Sequence, residues 1–243
     1  MYLGNYFTVP ARANLPGQSG GGTTPPFAYT AIDNSFSMDL DTLGYIEIPD
    51  FTKPYVDAVN SEGQLSFVCW IKTGNVGVNY YAAGSGTLSN GPFTFQFSGK
   101  NIRLTLKNSS AVVYTLTGTD QLITDADQWF HCAFTWNSSN PAIERMKVYV
   151  NGVADSAQTN GPADIQSNPV ASFFNSDTLI GRLRESSGNV TPVSIDEAAF
   201  FTKELSEETI QAIYDTTVNN PGKVADLSET PEGEPYAWYR MGD

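Results

Sequence analysis

The stretch QWFHCAFTWNSSNPAIERMKVYVNG, residues 128–152, constrains the fold more than any other part of the chain. Two runs rich in aromatic and β-branched residues flank a polar loop, a composition that suits a pleated, half-buried surface. The second run ends in Asn151-Gly152, a dipeptide that accepts the positive φ values of a tight hairpin turn. The stretch therefore reads as strand, loop, strand and tight turn. The same texture recurs elsewhere. YIEIP alternates, LSFVCWIKT is nearly continuous in apolar residues, and NYYAAG is brief. FTFQF and IRLTL flank the turn SGKN, and VVYTLTG, DTLIGRL and VSIDEAAFF follow. About ten strands without long amphipathic helices imply an all-β, two-sheet antiparallel sandwich or jelly roll.

One helix is expected, in KELSEETIQAIYDTTV near the C-terminus. Ser206 is a good N-cap, with Glu207 and Glu208 in the positively polarised first turn. Leu205 and Ile210 are spaced as a hydrophobic staple, and Ile210, Ile213 and Tyr214 form the apolar face. YAWYRM, residues 236–241, reads as a last strand.

Residues 1–30 differ in kind. GQSGGGTTPP at 17–26 cannot supply a core, so 1–30 reads as an extended arm and 31–243 as the folded domain. Tyr2, Leu3, Tyr6, Phe7 and Val9 are the apolar side chains able to anchor such an arm on a neighbouring subunit or particle surface, with an arm folded back along its own sandwich as the alternative, and a homo-oligomer is expected. The N-terminus lacks a basic segment followed by an apolar run, so no secretion signal is expected there. No run of eighteen apolar residues is present, which argues against membrane insertion through a helix. With 13 Lys+Arg against 26 Asp+Glu, the net charge of −13 would repel a polyanion and argues against nucleic acid. Cys69 and Cys132 each interrupt a strand-like run and are expected as buried thiols, with a disulfide between neighbouring strands as the alternative.

Three of these segments, in order, resemble the laminin-G-like and pentraxin-like branch of the concanavalin-A-like jelly-roll superfamily. SFVCWIKTG is similar to the family's early core strand. QWFHCAFTWNSS…KVYVNGV is similar to its Trp-His strand paired with a Tyr-Val-Asn/Asp-Gly hairpin. LIGRLRE…VSIDEAAFFTKELSEETIQAIYD is similar to its closing run of strands and Leu-Ser-capped helix. The resemblance covers roughly residues 36–216 and implies a concanavalin-A-like jelly roll. It says less about function, because one fold hosts many.

The β-glucanases of this superfamily carry a Glu-x-Asp-x-x-Glu strand, and retaining hydrolysis needs two carboxylates about 5–5.5 Å apart. The nearest acidic strand here is Ile195-Asp196-Glu197, where adjacent residues of a regular strand point to opposite faces. No enzyme activity is expected. His131, the only histidine, excludes a His cluster within one chain and is expected as a packed, hydrogen-bonded residue. Many relatives bind calcium, which takes six to eight oxygen ligands. The candidates are Asp39, Asp41, Asp196 and Glu197, although Leu43-Gly44 stand where relatives carry an Asp-Asp pair. The expectation is no cofactor, with calcium as the alternative. Glycan binding would need aromatics beside amides on the concave sheet or loop rim, and Asn79, Tyr80, Tyr81 and Asn90 supply both.

Two functions follow. The first is a structural jelly roll on the surface of a phage virion, in head decoration or tail. It would be made in the host cytoplasm, touch other virion subunits through the arm, and contact host glycans. The second is an extracellular lectin-like module or adhesin.

Overall fold

The computed structural model describes residues 27–34, 37–40, 44–85, 91–108, 110, 112–160, 170, 177–182 and 193–241. In chain order the strands are β1 (Ala31–Asp33), β2 (Met38–Leu40), β3 (Ile46–Ile48) and, after helix α1 (Thr52–Glu62), β4 (Gln64–Thr73). Next come β5 (Asn79–Ser85), β6 (Phe93–Ser98), β7 (Asn101–Lys107) and β8 (Val113–Gly118). They are followed by β9 (Trp129–Asn137), β10 (Met146–Val150), β11 (Val153–Ala154), β12 (Ala157–Asn160) and β13 (Thr178–Ile180). The chain closes with β14 (Val193–Phe201), helix α2 (Glu207–Asn219), β15 (Lys223–Ala225) and β16 (Ala237–Tyr239).

Two seven-stranded antiparallel sheets face each other. One runs β11-β10-β9-β4-β14-β16 with β2 also on β14, and the other runs β12-β8-β7-β6-β5-β13-β3. Their inner faces meet in a phenylalanine-rich core, where Phe67 stacks on Phe95 with ring centroids 4.5 Å apart. Phe134 and Phe200 pack against the same pair. This is the jelly-roll sandwich that the strand texture implies.

A third layer lies on the outer face of the first sheet. Ile210, Ala212 and Ile213 of α2 pack on Val68, Ala133, Tyr149, Ala199 and Phe201. The helix starts where the sequence indicates, because Ser206 Oγ accepts the Thr209 N–H at 3.2 Å and Leu205 is buried with Ile210. β1 pairs with β15 beside it. Residues 27–30 lie in this layer too: Tyr29 is buried there, and the Thr30 N–H donates to Glu229 at 2.7 Å. The covered outer face explains why LSFVCWIKT loses its alternation, since β4 is buried on both sides.

The hairpin turn forms as expected, with Asn151 and Gly152 at φ of 53° and 78°. Asn151 also fastens the turn to β9, its side-chain oxygen accepting the His131 N–H at 2.9 Å.

One expectation needs correction: the described residues hold two helices, not one. α1 begins after Phe51, which provides no side-chain cap, and Pro54 reads as a breaker. Pro is harmless in a first turn, where its missing N–H has no intrahelical partner. Tyr55, Val56 and Val59 bury the inner face, and Gly63 ends the helix at φ 68° with its N–H donating to Val59 O at 2.8 Å.

Cys69 and Cys132 stand opposite each other on β4 and β9. Both are buried free thiols, and burial pushes both well above the usual thiol range.

Candidate functional site

Among the described residues, two polar clusters lie on the outer faces of the sheets, one on each. The first is built on a bulge in β14. Asp196 pairs with Trp70 and Ala199 with Val68, so three steps along β14 match two along β4. The extra residue is absorbed at Glu197, whose φ of 51° is left-handed. This overturns the expectation that Asp196 and Glu197 point apart. Both carboxylates turn to one amide: Asn34 Nδ2 donates to Asp196 Oδ2 at 2.8 Å and to Glu197 Oε1 at 3.4 Å.

Other donors close around the pair. Asp196 also accepts backbone N–H groups from Glu197, at 2.9 Å, and from Met241. Trp238 Nε1 donates to Glu197 Oε2 at 2.6 Å, and Arg240 Nε lies 3.6 Å from Glu197 Oε1. The Arg240 guanidinium stacks over Trp238 and donates to the Asp33 carbonyl at 2.9 Å. Burial pushes Asp196 up to about 6, against the opposing pull of Asn34, the two N–H groups and Arg240. A carboxyl near neutrality suits proton transfer in principle. Here Asp196 is 0% exposed and Glu197 4%, with protein donors on both. The arrangement fastens both ends of the domain, through Asn34 and Arg240, to the central sheet.

The second cluster lies on the outer face of the other sheet. The strands β6, β7 and β8 alternate strictly, Phe95, Leu104 and Leu116 facing the core and their neighbours facing away. Register then sets Tyr81, Gln96, Arg103 and Thr117 side by side across four strands. Arg103 Nε donates to Thr117 Oγ1 at 3.2 Å. Burial raises Tyr81, and the charge of Arg103 draws it back. A second row joins Thr94, Thr105 and Thr115, the last two hydroxyls 3.3 Å apart. Arg103, Thr115 and Thr117 are half-buried, whereas Tyr81, Gln96, Thr94 and Thr105 are buried.

The residues expected from sequence fall into place unevenly. Tyr80 is a core residue, 1% exposed and stacked on Phe97 at 4.5 Å, which removes it as a platform for sugars. Tyr81 points to the opposite face and is also buried, while Asn79 is exposed at the start of β5. Asp39 on β2 accepts the Ser194 hydroxyl. Among the described residues no three His, Cys, Asp or Glu side chains gather as metal ligands. Asp41, Asn90 and the arm residues Tyr2, Leu3, Tyr6, Phe7 and Val9 lie outside the described residues. His131 packs against Trp70 and Tyr214, ring centroids 5.3 and 6.4 Å away. Its backbone N–H and carbonyl both bond to Asn151, and neither ring nitrogen has a partner among the described residues. No described helix is long and apolar enough to cross a membrane.

Sequence reading missed Asn34, Trp238 and Arg240, for which 162 residues of separation between Asn34 and Asp196 leave no local signal. It also missed Gln96, Arg103 and Thr117. The alternation of FTFQFS, NIRLTLK and VYTLTG marks their face, and only the strand register aligns them.

The described residues thus form a jelly roll with one helix-covered sheet and one polar-faced sheet. The profile of the Laminin_G_3 family, in the concanavalin A-like lectin/glucanases superfamily, matches residues 40–211, and the chain belongs to that family. The receptor-binding domain of a botulinum neurotoxin of the C/D mosaic serotype superposes with a TM-score of 0.54 at 19% identity. That match covers 77% of this chain and 45% of the other. A second crystal structure of the mosaic domain carries tetraethylene glycol on its Hcn sub-domain and a sulfate at the putative active site. It gives a TM-score of 0.53 at 19% identity over 78% and 45% of the two chains. At such identity the likeness is one of fold, and the chain spans less than half the length of those receptor-binding domains. No curated protein matches the sequence.

Proposed function

We propose that this chain is a non-catalytic, glycan-binding jelly roll that meets its ligand on the β7–β8 side of the second sheet. The observation that carries this reading is the half-buried group of Arg103, Thr115 and Thr117, with Tyr81 and Gln96 buried beside it, on a sheet face that no described helix crosses. Amide, guanidinium and hydroxyl groups side by side match the hydroxyls of a sugar, and the guanidinium also suits a sugar carboxylate. Within a superfamily of lectins and glucanases, the carboxylate pair favours the lectin side. Asp196 and Glu197 are sealed, and a glycosidic oxygen could reach them only after Trp238 and Asn34 gave way.

The test is a glycan array on the full chain, with neutral and acidic glycans. Binding to at least one glycan class is expected, with a loss of about tenfold or more in Arg103→Ala, the scale of one charge-assisted hydrogen bond. No binding to any glycan, or binding by Arg103→Ala equal to that of the parent chain, overturns the reading. Turnover of a β-glucan abolished by Asp196→Asn would overturn its non-catalytic part. A place on a virion, with oligomer assembly through Tyr2, Leu3, Tyr6, Phe7 and Val9, draws no support from the described residues. A mass-spectrometric inventory of purified virions tests it.

A further inference from the structure

Beneath α2 the outer face of the first sheet leaves a cavity of about 10 Å³, lined by Trp70, His131, Glu197, Ile213, Thr217 and Val224 among others. Most of this lining is apolar, and an apolar cavity of this size stays dry. Three polar groups break the pattern. His131 is 1% exposed, and neither Nδ1 nor Nε2 meets a donor or acceptor among the described residues. Glu197 of β14 also lines the cavity. Thr217 donates its hydroxyl hydrogen to the Ile213 carbonyl at 3.3 Å, which leaves its oxygen free to accept.

The geometry points to a binding site for one internal water molecule in this cavity, bridging the His131 ring to the Glu197 carboxylate with Thr217 as third partner. The valences of the water are met, while the ring's acceptor nitrogen stays without a donor among the described residues. Burial keeps the imidazole neutral, with one N–H donor and one acceptor nitrogen. The water accepts from the ring N–H and donates to Glu197 and to Thr217 Oγ1, the three bonds usual for a buried water. The volume of about 10 Å³ meets the lower limit for a single water molecule. A buried imidazole N–H left bare loses the stabilisation of its water contacts, which gives the site its driving force. The bridge also joins β9 to the carboxylate cluster, so that one polar chain runs from the Asn151 turn through His131 and Glu197 to Trp238 and Arg240.

Two measurements on the full chain test this. An atomic-resolution crystal structure is expected to hold one density peak within hydrogen-bonding distance of a His131 ring nitrogen, a Glu197 oxygen and Thr217 Oγ1. His131→Leu, which keeps the fold but removes the donor, should lose that peak. Because His131 is the only histidine, its ¹⁵N resonances are read without overlap. They should report a single fixed tautomer at neutral pH, together with a cross-relaxation signal from long-lived water to the Thr217 amide. A cavity without density overturns the inference, as does an imidazole that exchanges between tautomers without contact to water.

Discussion

The two sheets of this sandwich are built to the same inner plan and to opposite outer plans. On the first, Val68, Trp70, Ala133, Tyr149 and Phe201 face outward and are buried under α2 and the β1–β15 pair. On the second, Gln96, Arg103, Thr105 and Thr117 occupy the same kind of position, and the sequence alternates. The difference shows where function can reside. A sheet with a third layer over it has committed that face to stability, and what it retains there are sealed groups such as His131 and Asp196. On the other sheet the outward polar groups run from buried, as Gln96 and Thr105 are, to half-buried, as Arg103 and Thr117 are.

The largest effect should come from the covered face. Trp70 is fully buried against His131 and Tyr214, on a surface that would face solvent in a two-layer sandwich. Trp70→Ala should destabilise the domain by about 3–5 kcal/mol, as for a large core residue. Denaturant unfolding followed by fluorescence measures this. A cost below about 1 kcal/mol, the level of an ordinary surface change, would mean that α2 adds no real core.

Next in size is the response to pH, which two groups on the covered face pull in opposite directions. Burial lowers His131 to about 3 from its ordinary value near 6.5. The unfolded chain therefore takes up this proton first, and the contribution of His131 is full above pH 6.5 and lost as pH falls toward 3. Asp196, pushed up to about 6, behaves the other way. Its contribution is full below the usual carboxyl range near 3.9 and lost as pH rises through about 6. His131→Phe should accordingly flatten the loss of melting temperature between pH 6.5 and 4, and Asp196→Asn should steepen it. Calorimetry across that range would show two diverging curves. Parallel curves for both variants and the parent would remove these groups as the source.

Much of this was legible in the sequence, and the reasons differ by element. Strands such as FTFQFS declare themselves because one face is core and the other is polar, which enforces a period of two. α2 is legible because Ser206, Leu205 and Ile210 place a cap and a staple at its start. α1 has no such signal, since Phe51 caps nothing and only tertiary burial of Tyr55 and Val59 holds it. The carboxylate cluster was half legible. Asp196 and Glu197 stand out, but counting faces assumes a regular strand, and a bulge at a non-glycine residue breaks the count without a sequence mark. Their partners Asn34 and Trp238 come from the two ends of the domain, where no local pattern reaches.

The smallest expected effect bears most directly on function. Thr117 lies on the polar outer face, half-buried, and its hydroxyl accepts from Arg103. Thr117→Val keeps the shape and the β-branching that a strand favours. Deleting the hydroxyl loses one partly solvated hydrogen bond, so stability should change by no more than about 0.5 kcal/mol. The same isosteric exchange on the covered face, in reverse, is a control: Val68→Thr buries a hydroxyl under α2 and should cost about 1–3 kcal/mol. Equal costs at the two positions would mean that both outer faces are closed, and the polar row would then be a second core boundary. If Thr117→Val is neutral in stability yet weakens glycan binding, the row is held for a ligand and not for the fold.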